Sequence, residues 1–482
     1  MRNSIIFYLN GVKKEVSGQD IFLPLSSYLR YESFLTGTKV VCAEGDCGAC
    51  TVMLAKWKPQ DRGNNYFSIN SCIAMTFAMD GASLVTVEGL AEAEKCAEVQ
   101  SSMIRNFGGQ CGFCTPGFIM SITNLLEQKA NQKECATACA YVKLNEQNVK
   151  NYLTGNLCRC TGYTPIIKAA LDVDIKKHIL IKDKYPQVDL SVQMRSSVLI
   201  STEAGEYFAP TTLIEACQYK DKYPETILFS GSTDLGVQIN KGYLQPKKIL
   251  SLHLIEELYT QQIEGTAITI GARATLSELQ KLVQDRIPSL DRFLNIFASP
   301  QIKNSATLVG NLANASPIAD MTPVMMALDA EVIIYGKSGK STKPLKDFYL
   351  GYKKLNLQKD EIITHIQFQI PDAQQKFENY KVSQRRDLDI STINASFNFS
   401  LNNNKIKTAR IALGGVAATT LRLADVENKI IGAEINIQTI ESIKKLITDA
   451  IHPLTDARGT SEYRTILAAN LFDKFAKEQL GL

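Results

Sequence analysis

The sequence predicts a multidomain α+β chain, and three observations carry this. Its 482 residues suffice for roughly three or four domains. Hydrophobic residues make up 45% and charged residues 21%, enough apolar matter for ordinary globular cores. Eleven of the twelve cysteines lie within residues 42–160 and only Cys217 lies beyond, so the first third carries a chemistry that the rest does not share.

The elements follow in order. SIIFYLNGVKKEV alternates apolar and polar residues about Asn10-Gly11, which predicts a hairpin. A helix is expected over 21–35. The glycine-rich loop VVCAEGDCGACTVML follows with TVML as a strand, and YFSIN and LVTVEGL read as further strands. Residues 1–90 thus form a small α+β domain. Residues 91–175 turn helical. Thr115-Pro116 opens one helix, with Thr as the N-cap, Pro in the first turn and Phe118, Ile119, Ile122, Leu125 and Leu126 on one side. Thr164-Pro165 repeats the device. Residues 176–203, with the polar stretch IKDKYPQVDLSVQMRSS, read as a linker. Over 204–373 short strands (in ETILFSGSTDL, KKILSL and TAITIG) alternate with helices. Residues 374–482 begin with strands (ENYKVSQ, ISTINASFNFSL, IKTARIALGG) and end in helices. No internal repeat spans the chain.

Several classes are excluded or disfavoured. A net charge of +4 gives no argument for nucleic acid. No run of 18 apolar residues predicts a membrane span. The N-terminus reaches lysines by residue 13 without a long apolar core, which argues against a secretory signal and predicts a cytoplasmic protein. Twelve cysteines in that setting suggest metal binding rather than disulfides. The four histidines are far apart, and HExxH, GxxxxGK and GxGxxG are absent, so a zincin, a P-loop enzyme or a standard Rossmann site has no support.

Cys42, Cys47 and Cys50 give C-x4-C-x2-C, and Cys72 completes the plant-type spacing for a [2Fe–2S] cluster. Gly45 and Gly48 let the loop curl and bring backbone N–H groups towards the cluster sulfurs. Cys111 and Cys114 (CGFC) precede one Thr-Pro helix start, and Cys158 and Cys160 (CRC) precede the other. Helix N-termini present free N–H groups and partial positive charge. Two such pairs converging would make a four-thiolate, anion-stabilising cage; a four-cysteine zinc site is the alternative.

EGDCGACTVML, QCGFCTPGF and GNLCRCTGYTP together resemble the two [2Fe–2S] domains of the xanthine dehydrogenase and aldehyde oxidase family, the molybdenum hydroxylases. The chain departs from the family between Cys114 and Cys158, where an insertion carries Cys135 and Cys139. These read as spare thiols in a loop, with a third cluster as the alternative.

Two later stretches extend the resemblance. LFSGSTDLG is a strand running into a turn whose N–H groups can meet a pyrophosphate. ATLVGNLANASPIADMTP is dense in small residues, as close approach to a ligand or tight helix packing requires. Together they resemble the family's FAD domain, which does without GxGxxG. Carried over by that resemblance, Leu228, Phe229, Ser230, Gly231, Ser232, Thr233, Asp234 and Leu235 surround the FAD diphosphate. Thr307, Gly310 and Asn311 line a second phosphate-side loop, and Asp320 binds the ribose or ribityl part. Phe297 covers the isoalloxazine ring, although core packing in FLNIFASP would also explain it. Ile363 and Lys381 match further flavin contacts; an exposed lysine is the plain alternative for Lys381.

The resemblance therefore implies a β-grasp ferredoxin-like domain, an all-α [2Fe–2S] helical-bundle domain, an α+β FAD-binding domain of vanillyl-alcohol-oxidase-like type and an α/β C-terminal flavoprotein domain. No catalytic residue is expected on the chain, because the family's molybdenum-cofactor domain follows the flavin domain and the sequence stops at Leu482. The implied function is the electron-transfer subunit of a molybdenum hydroxylase of xanthine dehydrogenase type. Electrons would pass from a molybdopterin-binding large subunit through two clusters to FAD and NAD+, within a heterotetramer of two small and two large subunits. Gln110 would approach the molybdopterin. An aldehyde- or N-heterocycle-oxidising relative, or a free-standing iron–sulfur flavoprotein diaphorase, remains the alternative.

Overall fold

The N-terminal hairpin forms as the alternation predicts. Strands β1 (Ile5–Leu9) and β2 (Val12–Val16) pair antiparallel. Asn10 and Gly11, at φ 49° and 81°, both take the left-handed conformation that a two-residue turn needs. This computed structural model describes residues 1–58, 65–92, 95–131, 144–186 and 188–481. It divides into two compact units: Met1–Glu256 with Ser299–Ala306, and Glu257–Ala298 with Thr307–Leu482. Cys135 and Cys139 lie outside the described residues.

In the first unit, β3 (Thr51–Lys56), β4 (Phe67–Asn70) and β5 (Ala82–Val85) complete a five-stranded sheet in the order β2-β1-β5-β3-β4, with β1 parallel to β5. β3 is buried along almost its whole length because both faces are covered. Val52 and Leu54 enter one core, while Met53 and Ala55 enter the core of the helical domain, as the two-residue side-chain period demands.

Two expectations change here. The helix over 21–35 is broken into short turns, Gly18–Phe22, Leu25–Ser27 and Tyr28–Glu32, with Pro24 between the first two. Proline has no N–H and disfavours helix at the residue before it. LVTVEGL is a strand only to Val85. Thr86 turns its N–H to the Asn10 side chain (3.0 Å), and Val87–Leu90 is a helical turn.

The helical domain is built from Glu98–Arg105, Thr115–Asn131, Glu146–Leu153 and Thr164–Leu171 around Phe118, Ile122, Leu125, Val149 and Ile166. The described residues of 176–203, expected as a linker, send single apolar side chains into the cores. Ile181 is buried in the helical core, and Leu190 and Met194 in the core beside β1–β5. Apolar residues spaced within a polar stretch bury singly without forming a legible period. Beyond them lies a second sheet, ordered Val198–Ser201, Glu206–Ala209, Lys248–Ser251, Ile227–Phe229.

Among its described residues the second unit has, besides a two-stranded sheet of Tyr349–Gly351 with Lys354–Leu355, two larger antiparallel sheets. One runs Gln261–Glu264, Ala267–Gly271, Ile362–Gln369, Glu331–Gly336, Gly339–Pro344. The other runs Gln375–Val382, Ile393–Asn402, Lys405–Gly414, Leu421–Arg422. Helices Ile437–Ala450 and Ser461–Gln479 cover the latter, where Phe397, Phe399, Phe472 and Phe475 pack with ring centroids 5.1 to 6.3 Å apart.

Candidate metal and flavin sites

The loop from Cys42 to Cys50 curls through left-handed residues Ala43, Gly45 and Gly48. It brings the four thiols of Cys42, Cys47, Cys50 and Cys72 into a contacting series, Cys47–Cys42–Cys72–Cys50. The Cys47 backbone N–H lies 3.5 Å from the Cys42 sulfur. Contact between thiols splits their acidities. The Cys47 thiol holds Cys42 far below the usual range and is itself pushed up. Likewise Cys72 holds Cys50 down, while Cys42 and Cys50 push Cys72 up.

Cys50 and Cys72 are buried, with Ile73, Val237 and Ile302 packed about them. Asn70 spans the loop: its oxygen lies 3.9 Å from the Cys50 sulfur and its nitrogen donates to the Gly45 carbonyl at 2.7 Å. The helix Thr233–Asn240 lies directly on this loop. A Cβ on Gly236 would stand 2.1 Å from the Ile73 carbonyl oxygen, and Asn240 donates to the Ala43 and Cys72 carbonyls, both at 2.8 Å.

The other four cysteines sit at the two helix starts. The Thr residues are not the caps. Cys114 itself accepts the first helical bond, from the Phe118 N–H (3.2 Å), and Tyr163, at φ 68°, caps the second helix. At the first helix the shift of one residue puts Cys114 in the cap itself. Pairing crosses between the motifs: Cys160 meets Cys111 at 3.6 Å, and Cys114 meets Cys158. Burial, then Cys158, pushes the Cys114 thiol up to about 12. Burial also raises Cys158, but the Thr161 hydroxyl, at 3.2 Å, and nearby backbone N–H groups outweigh it and leave that thiol lowered. Cys111 and Cys160 are exposed, as are Phe107, Phe113 and Leu157, their near neighbours in the sequence.

Among the described residues, no three Cys, His, Asp or Glu side chains gather as a single metal ion requires. Eight cysteines in two groups, one a contacting series of four and the other two contacting pairs, offer the four thiolates that a two-iron cluster takes, two on each iron.

The residues expected around FAD fall in both units. In the first, Leu228 and Phe229 end a strand, Ser230-Gly231-Ser232 form a turn, and Thr233, Asp234 and Leu235 open the helix. Phe229 is buried against Phe77, so it offers a ligand only its backbone. A Cβ on Gly231 would stand 2.2 Å from the Ser305 carbonyl oxygen. Ser232 is left-handed at φ 62°, and its hydroxyl is buried without a protein partner.

In the second unit, Thr307 caps the helix Leu308–Ala313 through the Gly310 N–H (3.0 Å), and the Asn311 side-chain oxygen is buried and unpartnered. Such orphaned polar atoms point to a ligand. Asp320 accepts from Lys381 and Ser391 at 2.5 Å and from Asn394 at 2.8 Å. Lys381 is buried, not the exposed lysine of the plain reading, and its ammonium lies 5.8 Å from the Phe297 ring centroid. Ile363 is buried in the strand Ile362–Gln369.

Asn156, Asn240 and Gln301 escaped the sequence reading. Asn156 stands two residues before Cys158 in a motif read only for its sulfurs. Nothing local distinguishes the other two.

Comparison with known proteins agrees with this geometry. Residues 86–171 match a [2Fe-2S] binding domain, 201–372 the FAD binding domain in molybdopterin dehydrogenase, and 378–479 the CO dehydrogenase flavoprotein C-terminal domain. The chain thus carries a [2Fe-2S] binding domain, an FAD binding domain of molybdopterin-dehydrogenase type and a flavoprotein C-terminal domain, in that order. Xanthine dehydrogenase 1 of Arabidopsis thaliana is 29% identical over 98% of this chain and 39% of its own length, and xanthine dehydrogenase of Drosophila subobscura 30% over the same shares. The chain thus spans about two fifths of these hydroxylases.

Among solved structures, a Cu,Mo-CO dehydrogenase in its cyanide-inactivated form superposes with a TM-score of 0.54 at 25% identity, over 57% of this chain and 96% of that one. Quinoline 2-oxidoreductase from Pseudomonas putida 86 shares the fold at a TM-score of 0.52 and 23% identity, over 57% of this chain and 95% of its own. Among the described residues no helix is long and apolar enough to cross a membrane.

Proposed function

We propose that this chain is the electron-transfer subunit of a cytoplasmic xanthine dehydrogenase, with its molybdopterin on a separate large subunit. Cys42, Cys47, Cys50 and Cys72 hold one [2Fe–2S] cluster; Cys111, Cys114, Cys158 and Cys160 hold the other. Clusters of this kind carry single electrons, and FAD couples them to a two-electron acceptor, here NAD+. The chain's own residues position these groups. Leu228 to Leu235 and Thr307, Gly310 and Asn311 bind the FAD phosphates. Asp320 holds the ribose or ribityl part, while Phe297, Ile363 and Lys381 shape the ring site.

The observation that carries the reading is a gradient of burial. Cys111 and Cys160 are exposed, and so are Phe107 (82% exposed), Gln110, Phe113 and Leu157, near the cysteines in the sequence, as a partner's docking face requires. The Cys50 and Cys72 sulfurs are instead buried beneath the helix that follows the diphosphate turn. A partner carrying the substrate centre would meet the exposed set.

Purification from the native cells tests this. The expected result is a large molybdenum-containing partner in a two-plus-two assembly that oxidises xanthine with NAD+. A stable isolated chain with iron and flavin but no partner would refute it. Oxidation of an aldehyde or N-heterocycle instead would move the substrate class.

A further inference from the structure

The two cysteine loops touch through their backbones. The Leu157 N–H donates to the Cys47 carbonyl at 3.0 Å. Cys47 belongs to the first set, and Leu157 precedes Cys158 of the second, so one hydrogen bond joins the backbone of one ligand to the residue bonded to another. Glycines permit the approach: a Cβ on Gly48 would stand 2.1 Å from the Gly155 carbonyl oxygen, and one on Gly117 2.2 Å from the Gly48 oxygen.

A buried amide fixes the contact. Asn156 is 3% exposed. Its nitrogen donates to the Gly48 carbonyl at 3.1 Å. Its oxygen accepts from Ser121 at 2.6 Å and from Gln301 at 2.9 Å. Ser121 belongs to the helix that Cys114 caps, so this side chain ties the first loop, the second loop and that helix together. All these groups lie in the first compact unit.

We propose that Asn156 is a positioning residue that clamps the two loops and makes the Leu157 N–H to Cys47 carbonyl bond the route by which electrons cross between the clusters. Covalent and hydrogen bonds couple electronic states better than an open gap. With clusters held by the two sets, an electron given up at the Cys158 set would be taken up at the Cys47 set, with no bond made or broken and no proton moved. The inference rests on the two-cluster reading above.

The test uses the full chain with both clusters and FAD bound. EPR at low temperature measures each reduced cluster and the magnetic coupling between them. Flash reduction of FAD, sampled by rapid freezing, follows the electron onward. In Asn156→Ala the expected result is full intensity from both clusters, weakened coupling, and second-cluster reduction slowed on the order of tenfold, about 1.4 kcal/mol in barrier. First-cluster reduction should keep its rate.

Unchanged coupling and rate with both signals present overturn the route alone. Absence of either signal from the unaltered chain overturns the two-cluster reading, and the route with it. Should Asn156→Ala lose a cluster, Ser121→Ala decides, since it removes one bond to Asn156: a smaller weakening supports the clamp and no change overturns it. Asn240→Ala touches the first loop at the Ala43 and Cys72 carbonyls, and an equal loss of coupling there would also overturn the proposal.

Discussion

Asp80 offers the sharpest test of what holds the first cysteine loop in place. Its side chain is fully buried. Its oxygens accept from Arg2 at 2.7 and 2.8 Å, from the Ile6 N–H at 2.9 Å, and meet the His253 ring at 3.0 Å. Burial alone would raise its pKa, but Arg2 and then His253 outweigh it and hold the carboxyl at about 2, against an ordinary 3.8. That drop corresponds to about 2 kcal/mol of stability at neutral pH. An acid held below its ordinary value stabilises the fold above pH 3.8 and loses that contribution as the pH falls towards 2. Asp80→Asn should remove the pH-dependent part and leave Arg2 buried without its partner, a cost of roughly 3 kcal/mol or more.

Amide hydrogen exchange in β1 reads this, normalised to the unfolded chain. In the unaltered protein, protection should fall about 30-fold between pH 5 and 2 on account of Asp80, at about 1.4 kcal/mol per factor of ten. Asp80→Asn should start lower and fall less, by about that 30-fold factor, leaving only the share of other lowered acids such as Glu98 and Glu206. The same decline in both proteins, or equal protection at pH 7, would refute the reasoning. Asp80 and Cys72 flank the turn Thr76–Met79, so the variant should also shed iron from the first site sooner than from the second.

Cys158→Ser should abolish one of two cluster EPR signals and leave FAD bound; survival of both would show that the ligand set is wrong. Lys381→Met strands the buried Asp320 carboxylate with only Ser391 and Asn394. Thermal unfolding of the second unit should then reveal a loss of about 3–5 kcal/mol, and an unchanged melting temperature would mean that the pair contributes nothing.

Much of the site was legible because its chemistry is local. C-x4-C-x2-C folds back on itself through Gly45 and Gly48, so spacing alone names three thiols that must meet. The hairpin at Asn10-Gly11 and the long C-terminal helices are local in the same sense. The sequence misplaced the helix caps by one residue, since Thr-Pro reads equally well as cap and first turn or as the first two helical residues. It left Lys381 open, since charge alone does not say whether a lysine meets water or a buried carboxylate. Ile393–Asn402 shows the same gap from the other side. Its alternating Asn394, Ser396, Asn398 and Ser400 look like a solvent face, yet all four are buried, with Asn394 bonded to Asp320 and Asn398 to the Ala327 carbonyl.

By itself, then, the sequence determined which sulfurs come together and in which two groups, because residue type and spacing are properties of neighbours along the chain. Tertiary structure alone decided that Cys111 pairs with Cys160 rather than with Cys114, and that Asn156 and Gln301, 145 residues apart, share one hydrogen bond. Such contacts follow from how cores stack the elements, and no short stretch of residues encodes that.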